Sequence, residues 1–399
     1  MRVSAGHTPV MALKTSSRTD IAPFYVMEVM RAAAERETSG SEVLHLEVGQ
    51  PSTPAPEGAR KRAIDAIQNE ILGYTSALGM DSLRERLSLH YRDWYGTEVG
   101  PERIAVTLGA SGAFTLAFLA CFEAGDRVAV PTPGYPCYRN TLKALGVDVV
   151  DVPVGYESRF QPSAQILESV GPIDGLVVAS PSNPTGTMLL PGELKDLIRW
   201  CKAHGVRLVS DEIYHGITYG TSAPTAVAEW DEAIVVNSFS KYFSMTGWRL
   251  GWLVLPLDLV SPVERLAQNA FIAAASVSQH AALGAFESHS ELEANIERYG
   301  VNRSILLEGL PQAGITQLAP ADGAFYIWAQ VDHLCDDSQR LAQEWLEDLG
   351  IAVTPGIDFD PDQGHRFIRF SFAGSTHDVQ ETVHKLVNWA AELPAERLD

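Results

Sequence analysis

Short, uninterrupted apolar runs alternate with longer amphipathic stretches between residues 100 and 255. The stretches have helical spacing and end at a glycine, as in 191–205. The runs are dominated by Val, Ile and Leu, without polar–apolar alternation, as is typical of strands buried on both faces of a sheet. They lie at 103–108, 126–131, 175–180, 206–211, 232–237 and 250–255. The pattern predicts an α/β fold in which helices cover both faces of a mostly parallel sheet, giving three layers, α/β/α.

The alternation of short apolar runs and amphipathic stretches ends before residue 290. With 399 residues, the chain also exceeds the roughly 250–300 residues that one core usually serves. Two predicted helices precede the alternating region, and a long helix, two apolar runs and a further helix follow it. These segments are 57–70, 81–95, a helix from about 290, 324–331, 337–349 and 366–372. We therefore expect a large domain at 46–289 and a smaller α+β domain at 290–399, against which residues 1–45 pack.

Charge excludes some classes of partner. The formal net charge is −20, so nucleic acid and anionic membrane surfaces would be repelled. Any anion that the protein binds must instead be held by local groups, such as single Lys or Arg side chains and the N-termini of helices.

The cysteines give no sign of a metal or disulfide framework, because Cys121, Cys137, Cys201 and Cys335 lie far apart and form no ligand-like pair. The first ten residues lack the apolar core of a signal peptide. We expect a protein of the reducing cytoplasm that has no metal site.

Three predicted strands end in small or polar residues. In open α/β sheets, ligands bind beyond the carboxyl ends of the strands. A turn at 109–112, containing Ala110 and Ser111, leads into an apolar helix and suits a phosphate, although a tight turn without a ligand explains it equally. Tyr135 follows the next run and could stack on a planar ligand or fill space beside two prolines. Asn183 is a fixed amide donor or ordinary turn chemistry.

The remaining two strand ends carry charge. Asp211 and Tyr214 follow one run, where a buried carboxylate needs a cation: a neighbouring Arg or a protonated ring nitrogen. Lys241 follows the other, eight residues before Arg249. Most lysines are solvated, but one near a second cation and partly desolvated is easier to deprotonate and is nucleophilic. Together these groups match the needs of pyridoxal phosphate: a Schiff-base Lys, an acid at the pyridine nitrogen and a phosphate cradle.

The sequence also resembles a known family over nearly its whole length. SFSKYFSMTGWRLGW (238–252) resembles the Schiff-base segment of class I/II aminotransferases, which are fold-type I pyridoxal-phosphate enzymes. SNPTG (182–186), SDEIY (210–214), YTSALGMDSLRE (74–85) and FIRFSFA (367–373) resemble further motifs of that family, in the same order. The resemblance implies a transaminase with a ping-pong mechanism.

The resemblance assigns roles around the cofactor ring. It implies that Lys241 forms the Schiff base and then moves the proton between substrate and cofactor. Asp211 would keep the pyridine nitrogen protonated, Asn183 and Tyr214 would hydrogen-bond the phenolic oxygen, and Tyr135 would stack on the ring.

It also implies how the phosphate is held and how the chain assembles. Ala110 and Ser111 would bind the phosphate through backbone N–H groups, with help from Ser238 and Arg249. Tyr74 would reach the phosphate of a neighbouring subunit, which implies a homodimer with shared active sites.

The same resemblance implies how the substrate is bound. Arg369 would grip the α-carboxylate, helped by Gly49 and Asn183. Related aspartate aminotransferases carry a Lys where this chain has Ser111, and the aromatic pair Phe24-Tyr25 lies near the expected entrance. We therefore favour a neutral donor such as alanine or valine over aspartate, with pyruvate or 2-oxoglutarate as the acceptor.

Three alternative functions are also compatible with the sequence. A carbon–sulfur β-lyase of the same fold would share Lys241, Asp211 and Arg249, and would release pyruvate and ammonia without an acceptor. A regulator that binds the cofactor without turnover would need a DNA-binding domain and a different charge. An α/β protein without a cofactor would show no visible absorbance after incubation with pyridoxal phosphate.

Overall fold

The computed structural model describes residues 13–393. Its helices are α1 (Tyr25–Thr38), α2 (Glu57–Asn69), α3 (Asp81–Tyr95), α4 (Gly109–Cys121), α5 (Pro136–Leu145), α6 (Ala164–Leu167), α7 (Pro191–His204), α8 (Leu257–Ala270), α9 (Ser276–Ala285), α10 (His289–Gly309), α11 (Ser338–Glu344) and α12 (Thr376–Ala391). Its strands are β1 (Leu44–His45), β2 (Ile104–Thr107), β3 (Arg127–Thr132), β4 (Asp148–Pro153), β5 (Gly175–Ala179), β6 (Arg207–Asp211), β7 (Ile234–Ser238), β8 (Gly251–Val254), β9 (Tyr326–Gln330), β10 (Ile351–Ala352), β11 (Thr354–Pro355) and β12 (Phe367–Ser371).

Seven strands form the central sheet, in the order β2-β8-β7-β6-β5-β3-β4. The strands from β7 to β4 are parallel, and β8 runs antiparallel to both of its neighbours. Every residue of β2, β7 and β8 is buried, as expected for apolar runs that are covered on both faces. The predicted α/β class with a mostly parallel sheet is confirmed.

The apolar pattern did not predict β4, one of the seven strands of the central sheet. This strand pairs with β3 at one edge of the sheet and carries Asp148 and Asp151. Most of its residues are exposed or half-buried, so it lacks a continuous apolar run, whereas β2, at the opposite edge, is fully buried and has one.

The C-terminal part contains a smaller antiparallel sheet in the order β11-β12-β9. The segment predicted as one helix at 337–349 is α11 followed by a wider π-type turn, Trp345–Leu349. β1, near the N-terminus, pairs with β10 in parallel register, so the N-terminal segment lies against the C-terminal part. The predicted domain boundaries at 45 and 289 stay predictions.

One hydrophobic cluster runs from Leu44 through the central sheet to Ala390, so the two parts of the chain share a core. Within residues 13–393, the helices that the structure describes are too short or too polar to cross a membrane.

Candidate active site

A cavity of about 400 Å³ lies where the carboxyl ends of the central strands meet the smaller sheet. Ten of the residues predicted from sequence line it: Gly49, Ala110, Ser111, Tyr135, Asn183, Tyr214, Ser238, Lys241, Arg249 and Arg369. Asp211 lies behind the wall, 2% exposed, and Tyr74 lies outside the cavity, 85% exposed. Strand ends that are far apart in sequence therefore meet at one edge of the sheet.

Lys241 follows β7, and its ammonium Nζ donates a hydrogen bond to the carbonyl oxygen of Gly49. Burial is the main cause that lowers the pKa of Lys241 to about 8. The positive charge of Arg369, and then that of Arg249, acts in the same direction, while Asp211 opposes them. The sequence pointed to Arg249 as the second cation, but Arg369 has the larger influence. An amine with this pKa is partly deprotonated at neutral pH and can act as a nucleophile or base.

Asp211 ends β6 and is buried. Its carboxylate accepts hydrogen bonds from the Tyr138 hydroxyl and from the backbone N–H of Ile213, the latter at 3.0 Å. Burial raises its pKa to about 6, against the effect of those bonds and of Lys241. Between residues 13 and 393 no Arg or Lys lies within ion-pair distance of Asp211. The alternative reading, a salt bridge to a neighbouring Arg, is therefore wrong.

The Arg369 guanidinium, on β12, is only 3% exposed. Its Nη1 donates to Asn183 Oδ1 at 2.8 Å, and its Nη2 donates to the carbonyl oxygen of Glu47 and to Thr354 Oγ1 at 3.1 Å. The Tyr326 ring packs against it, with the ring centroid 4.5 Å from Cζ. A planar cation held in this way presents a fixed fork to a carboxylate.

The two polar residues predicted for the ring oxygen are both buried. The Tyr214 hydroxyl lies 2.7 Å from the Tyr326 hydroxyl. The amide oxygen of Asn183 accepts from Arg369, which leaves the amide nitrogen as the available donor. A hydroxyl and an amide N–H can thus face one acceptor in the cavity.

The opposite end of the cavity suits an anion. Gly109, with φ 68°, begins α4, whose first N–H groups have no partners within the helix. A Cβ at Gly109 would lie 2.7 Å from Arg249 Nη2, so glycine lets the guanidinium approach the start of the helix. Ser238 Oγ donates to Leu250 O at 3.1 Å and also bonds Ser240, so its hydroxyl is already engaged within its loop.

Sequence reasoning missed several residues of the site. Tyr138 lies in the first turn of α5, three residues after Tyr135, which caps that helix; its closeness to Tyr135 in the sequence could have revealed it. The first turns of α1 line the mouth with Val26, Met27 and Met30, and no motif marked them. The other lining residues that the sequence did not predict are Val48, Gln50, Phe114, Ile213, Ser240, Thr246 and Tyr326.

The entrance pair was only partly located by the sequence. Phe24 lines the cavity, but Tyr25 is absent from the lining. The backbone N–H of Tyr25 instead donates to Asp358 Oδ1 at 3.1 Å, which fixes the start of α1. Within the described part of the chain, no cluster of three His, Cys, Asp or Glu residues could hold a metal ion.

Comparisons with known proteins agree with this geometry. The family model for aminotransferase class I and II matches residues 41–386. The chain is 48% identical to a valine–pyruvate aminotransferase of Mycobacterium tuberculosis, covering 95% of this chain and 99% of that protein. It is 31% identical to an aspartate aminotransferase of Sulfurisphaera tokodaii, covering 88% and 90% of the two chains.

The fold agrees as well. The crystal structure of an aminotransferase from Mycobacterium tuberculosis superposes with a TM-score of 0.94 at 47% identity, covering 96% of this chain and 100% of that one. With the family model spanning most of the sequence, the chain belongs to the class I and II aminotransferases, enzymes that as a family use pyridoxal phosphate to exchange amino groups between amino acids and 2-oxo acids.

Proposed function

We propose that this enzyme carries pyridoxal phosphate on Lys241 and transfers the amino group of a neutral L-amino acid, valine or alanine, to pyruvate. The observation that carries the proposal is the pairing of two unusual groups at one cavity. Lys241 has a pKa lowered to about 8, and the buried carboxyl of Asp211 has no cationic side chain within ion-pair distance in residues 13–393.

The residues present fit the cofactor. Its ring nitrogen, when protonated, would supply the cation that Asp211 lacks, and its phosphate matches the helix start at Gly109 with Arg249 beside it. The cavity, about 400 Å³, lies in the range of small-molecule sites. Tyr135 lines it and would stack on the ring.

Each polar residue predicted for the site then has a chemical role. When bound, pyridoxal phosphate supplies an electron sink for the pair left on the α-carbon of the substrate. Lys241 would act as the base that removes the proton at that carbon and as the acid that returns it, and Asp211 would keep the ring nitrogen protonated. Asn183 and Tyr214 donate hydrogen bonds to the phenolic oxygen, and Arg369 binds the α-carboxylate.

The cofactor's phosphate would be held by groups at the start of α4. The backbone N–H groups of Ala110 and Ser111 lie in the first turn of α4, where unpaired donors and the helix dipole favour an anion. Arg249 adds a full positive charge. Ser238 completes the predicted set, with Ser240 beside it, since the two hydroxyls lie 2.9 Å apart.

The preference for a neutral side chain rests on the charges in the cavity. Among its described lining residues the cationic side chains are Lys241, Arg249 and Arg369, and each already has a task. None is left for a second carboxylate, while the first turns of α1 present an apolar wall. The relative that is 48% identical is a valine–pyruvate aminotransferase, which supports the same pair of substrates.

A homodimer with shared sites is part of the proposal. Four exposed apolar side chains lie on α2 and the segment after it: Ile64, Ile67, Ile71 and Tyr74, with exposed fractions of 57%, 62%, 98% and 85%. Exposed apolar side chains of this size, close together in the sequence, favour burial against a second copy. There Tyr74 would reach the phosphate of the partner's site.

A donor screen tests the substrates. Enzyme loaded with pyridoxal phosphate is assayed with pyruvate as the acceptor and with valine, alanine or aspartate as the donor. We expect valine and alanine to have the higher kcat/KM. Preference for aspartate by more than about tenfold, or about 1.4 kcal/mol, would overturn the proposal.

Mixed dimers test the shared site. Lys241→Ala and Tyr74→Ala proteins are each purified, then mixed under conditions that allow subunits to exchange. We expect activity to recover, because a mixed dimer contains one site with both native residues. A mass near 43.4 kDa in light scattering, without recovery on mixing, would contradict the shared site.

A further inference from the structure

Residues 47–49 supply backbone acceptors to both cations at the substrate end of the cavity. Lys241 donates to the carbonyl oxygen of Gly49, and Arg369 donates to that of Glu47. The Thr354 hydroxyl also donates to the Glu47 carbonyl, at 3.0 Å. The position of the Arg369 guanidinium therefore depends on where the Glu47 carbonyl lies.

The side chain of Glu47 is an unusual neighbour for such a carbonyl. It is a carboxylate only 1% exposed. Its Oε1 lies 2.9 Å from His45 Nδ1, while its Oε2 has no hydrogen-bond partner within residues 13–393. A buried carboxylate is costly unless a cation pairs with it. His45 is the cationic partner within ion-pair distance that the described residues provide.

His45 is suited to supply that cation. Its side chain is 40% exposed, and its second ring nitrogen, Nε2, lies 3.3 Å from Glu37 at the end of α1. The hydrogen bond to Glu47 is the largest cause that raises its pKa to about 9, so the ring is protonated at neutral pH. A protonated ring donates from both nitrogens, one to each carboxylate.

We propose that His45 is a positioning residue for the substrate carboxylate: its charge keeps Glu47 buried and so holds the Glu47 carbonyl where Arg369 requires it. The inference rests on the proposed function, in which Arg369 binds that carboxylate. Without the ring, the uncompensated carboxylate turns toward the solvent that replaces His45, and the Glu47 carbonyl moves with it.

Kinetics of the holoenzyme test the role. In His45→Ala, KM for both valine and pyruvate is expected to rise roughly tenfold, because a displaced Arg369 guanidinium loses part of its charge-assisted hydrogen bonding to the carboxylate. The value of kcat should stay within about twofold, since the ring contacts no reacting atom. His45→Lys, which keeps a cation, should recover most of the loss. The matched control is His204→Ala, a half-exposed histidine 3.8 Å from Glu168, which should leave KM unchanged.

A double variant separates charge from simple packing. Glu47→Gln keeps the size of the side chain and the backbone carbonyl but removes the charge. In the His45→Ala background it should lower KM back toward the native value, because an uncharged amide needs no cation. If the ring acted only by filling space, Glu47→Gln would add a loss of its own, and that result would overturn the inference.

Binding measurements keep the two proposals distinguishable. Titration calorimetry of isovalerate and propionate, which are valine and alanine without the amino group and cannot be transaminated, onto the native protein and each variant reports affinity without turnover. Native binding that His45→Ala leaves unchanged overturns this inference alone, whereas a native protein that binds neither ligand overturns the proposed function as well. Should His45→Ala fail to fold, judged by circular dichroism, His45→Gln gives the same comparison with less loss of packing.

Discussion

The two halves of the cavity are built in different ways. The half that suits the cofactor comes from consecutive strand ends of one sheet, with Lys241 and Asp211 following β7 and β6. The half that suits the substrate is assembled from the start of α1, from residues 47–49 and from Arg369 on β12, which lies more than 300 residues after the other two in the sequence. The first half depends on a rigid sheet; the second depends on the N-terminal and C-terminal parts meeting correctly. Substitutions in the two halves should therefore affect different kinetic constants: kcat in the cofactor half and KM in the substrate half.

The largest loss is expected in the cofactor half. Lys241→Ala should reduce kcat by at least about 10²–10⁴-fold, the usual contribution of a general acid or base. The melting temperature should not fall, because the substitution removes a partly buried cation. Borohydride treatment followed by peptide mapping should label Lys241 in the native enzyme and leave the variant unlabelled. Fixation of the cofactor on another lysine would contradict the assignment.

The next largest effect is expected in the substrate half. Arg369→Ala should raise KM for amino and oxo acids roughly 10- to 150-fold, because a hydrogen-bonded charge pair contributes about 1.5–3 kcal/mol. Steady-state kinetics with valine and pyruvate measure the change. Arg369→Lys should recover little, since an ammonium cannot reproduce the planar fork that faces Asn183 and Glu47. A full recovery by Lys would show that charge alone is enough.

Loading of the cofactor should depend on pH through Lys241. Its pKa is lowered to about 8, so the free amine is the major form above that pH and the ammonium below it. From pH 7 to pH 8 the fraction of free amine rises about fivefold, and the initial rate at which stripped enzyme regains visible absorbance should rise with it. Above about pH 9 the rate should level off. A rate that climbs steadily to pH 10.5 would mean that the amine has its ordinary pKa.

The smallest effect sharpens the choice of substrate. Ser111→Lys places a cation in the cavity lining, where it can pair with a second carboxylate. An exposed pair contributes about 0.2–1 kcal/mol, so kcat/KM for aspartate relative to valine should rise up to roughly fivefold. Ser111→Ala is the control and should leave the ratio unchanged. An unchanged ratio in the Lys variant would place the side chain of the donor elsewhere in the cavity.

The sequence predicted which strand ends meet at the cavity, because parallel topology brings the carboxyl ends of strands together. Once the apolar runs of β5 and β6 are recognised, the positions of Asn183 and Asp211 at one edge follow. Tyr138, which the sequence did not predict, does not lie at the end of a strand. It contacts Asp211 from a helix, which only its closeness to Tyr135 in the sequence hints at.

The substrate half was predicted only where a motif existed. Arg369 was located by its resemblance to the family, whereas Met30 lies on a helix that no motif marks. The acceptors of Arg369 are backbone carbonyls, and every residue has one, so no residue type could reveal that of Glu47. Such contacts depend on tertiary packing between distant segments, and a local pattern does not carry them.

The methionines at the mouth have a consequence for an enzyme that handles two substrates in turn. For the proposed substrates, the same space would first enclose the isopropyl group of valine and then the methyl group of pyruvate, which differ by two carbon atoms. A wall of branched side chains would fit one and leave a void or a clash with the other. Met27 and Met30 are unbranched, and each rotates about three side-chain bonds. They can therefore change conformation to contact either the smaller or the larger substrate group.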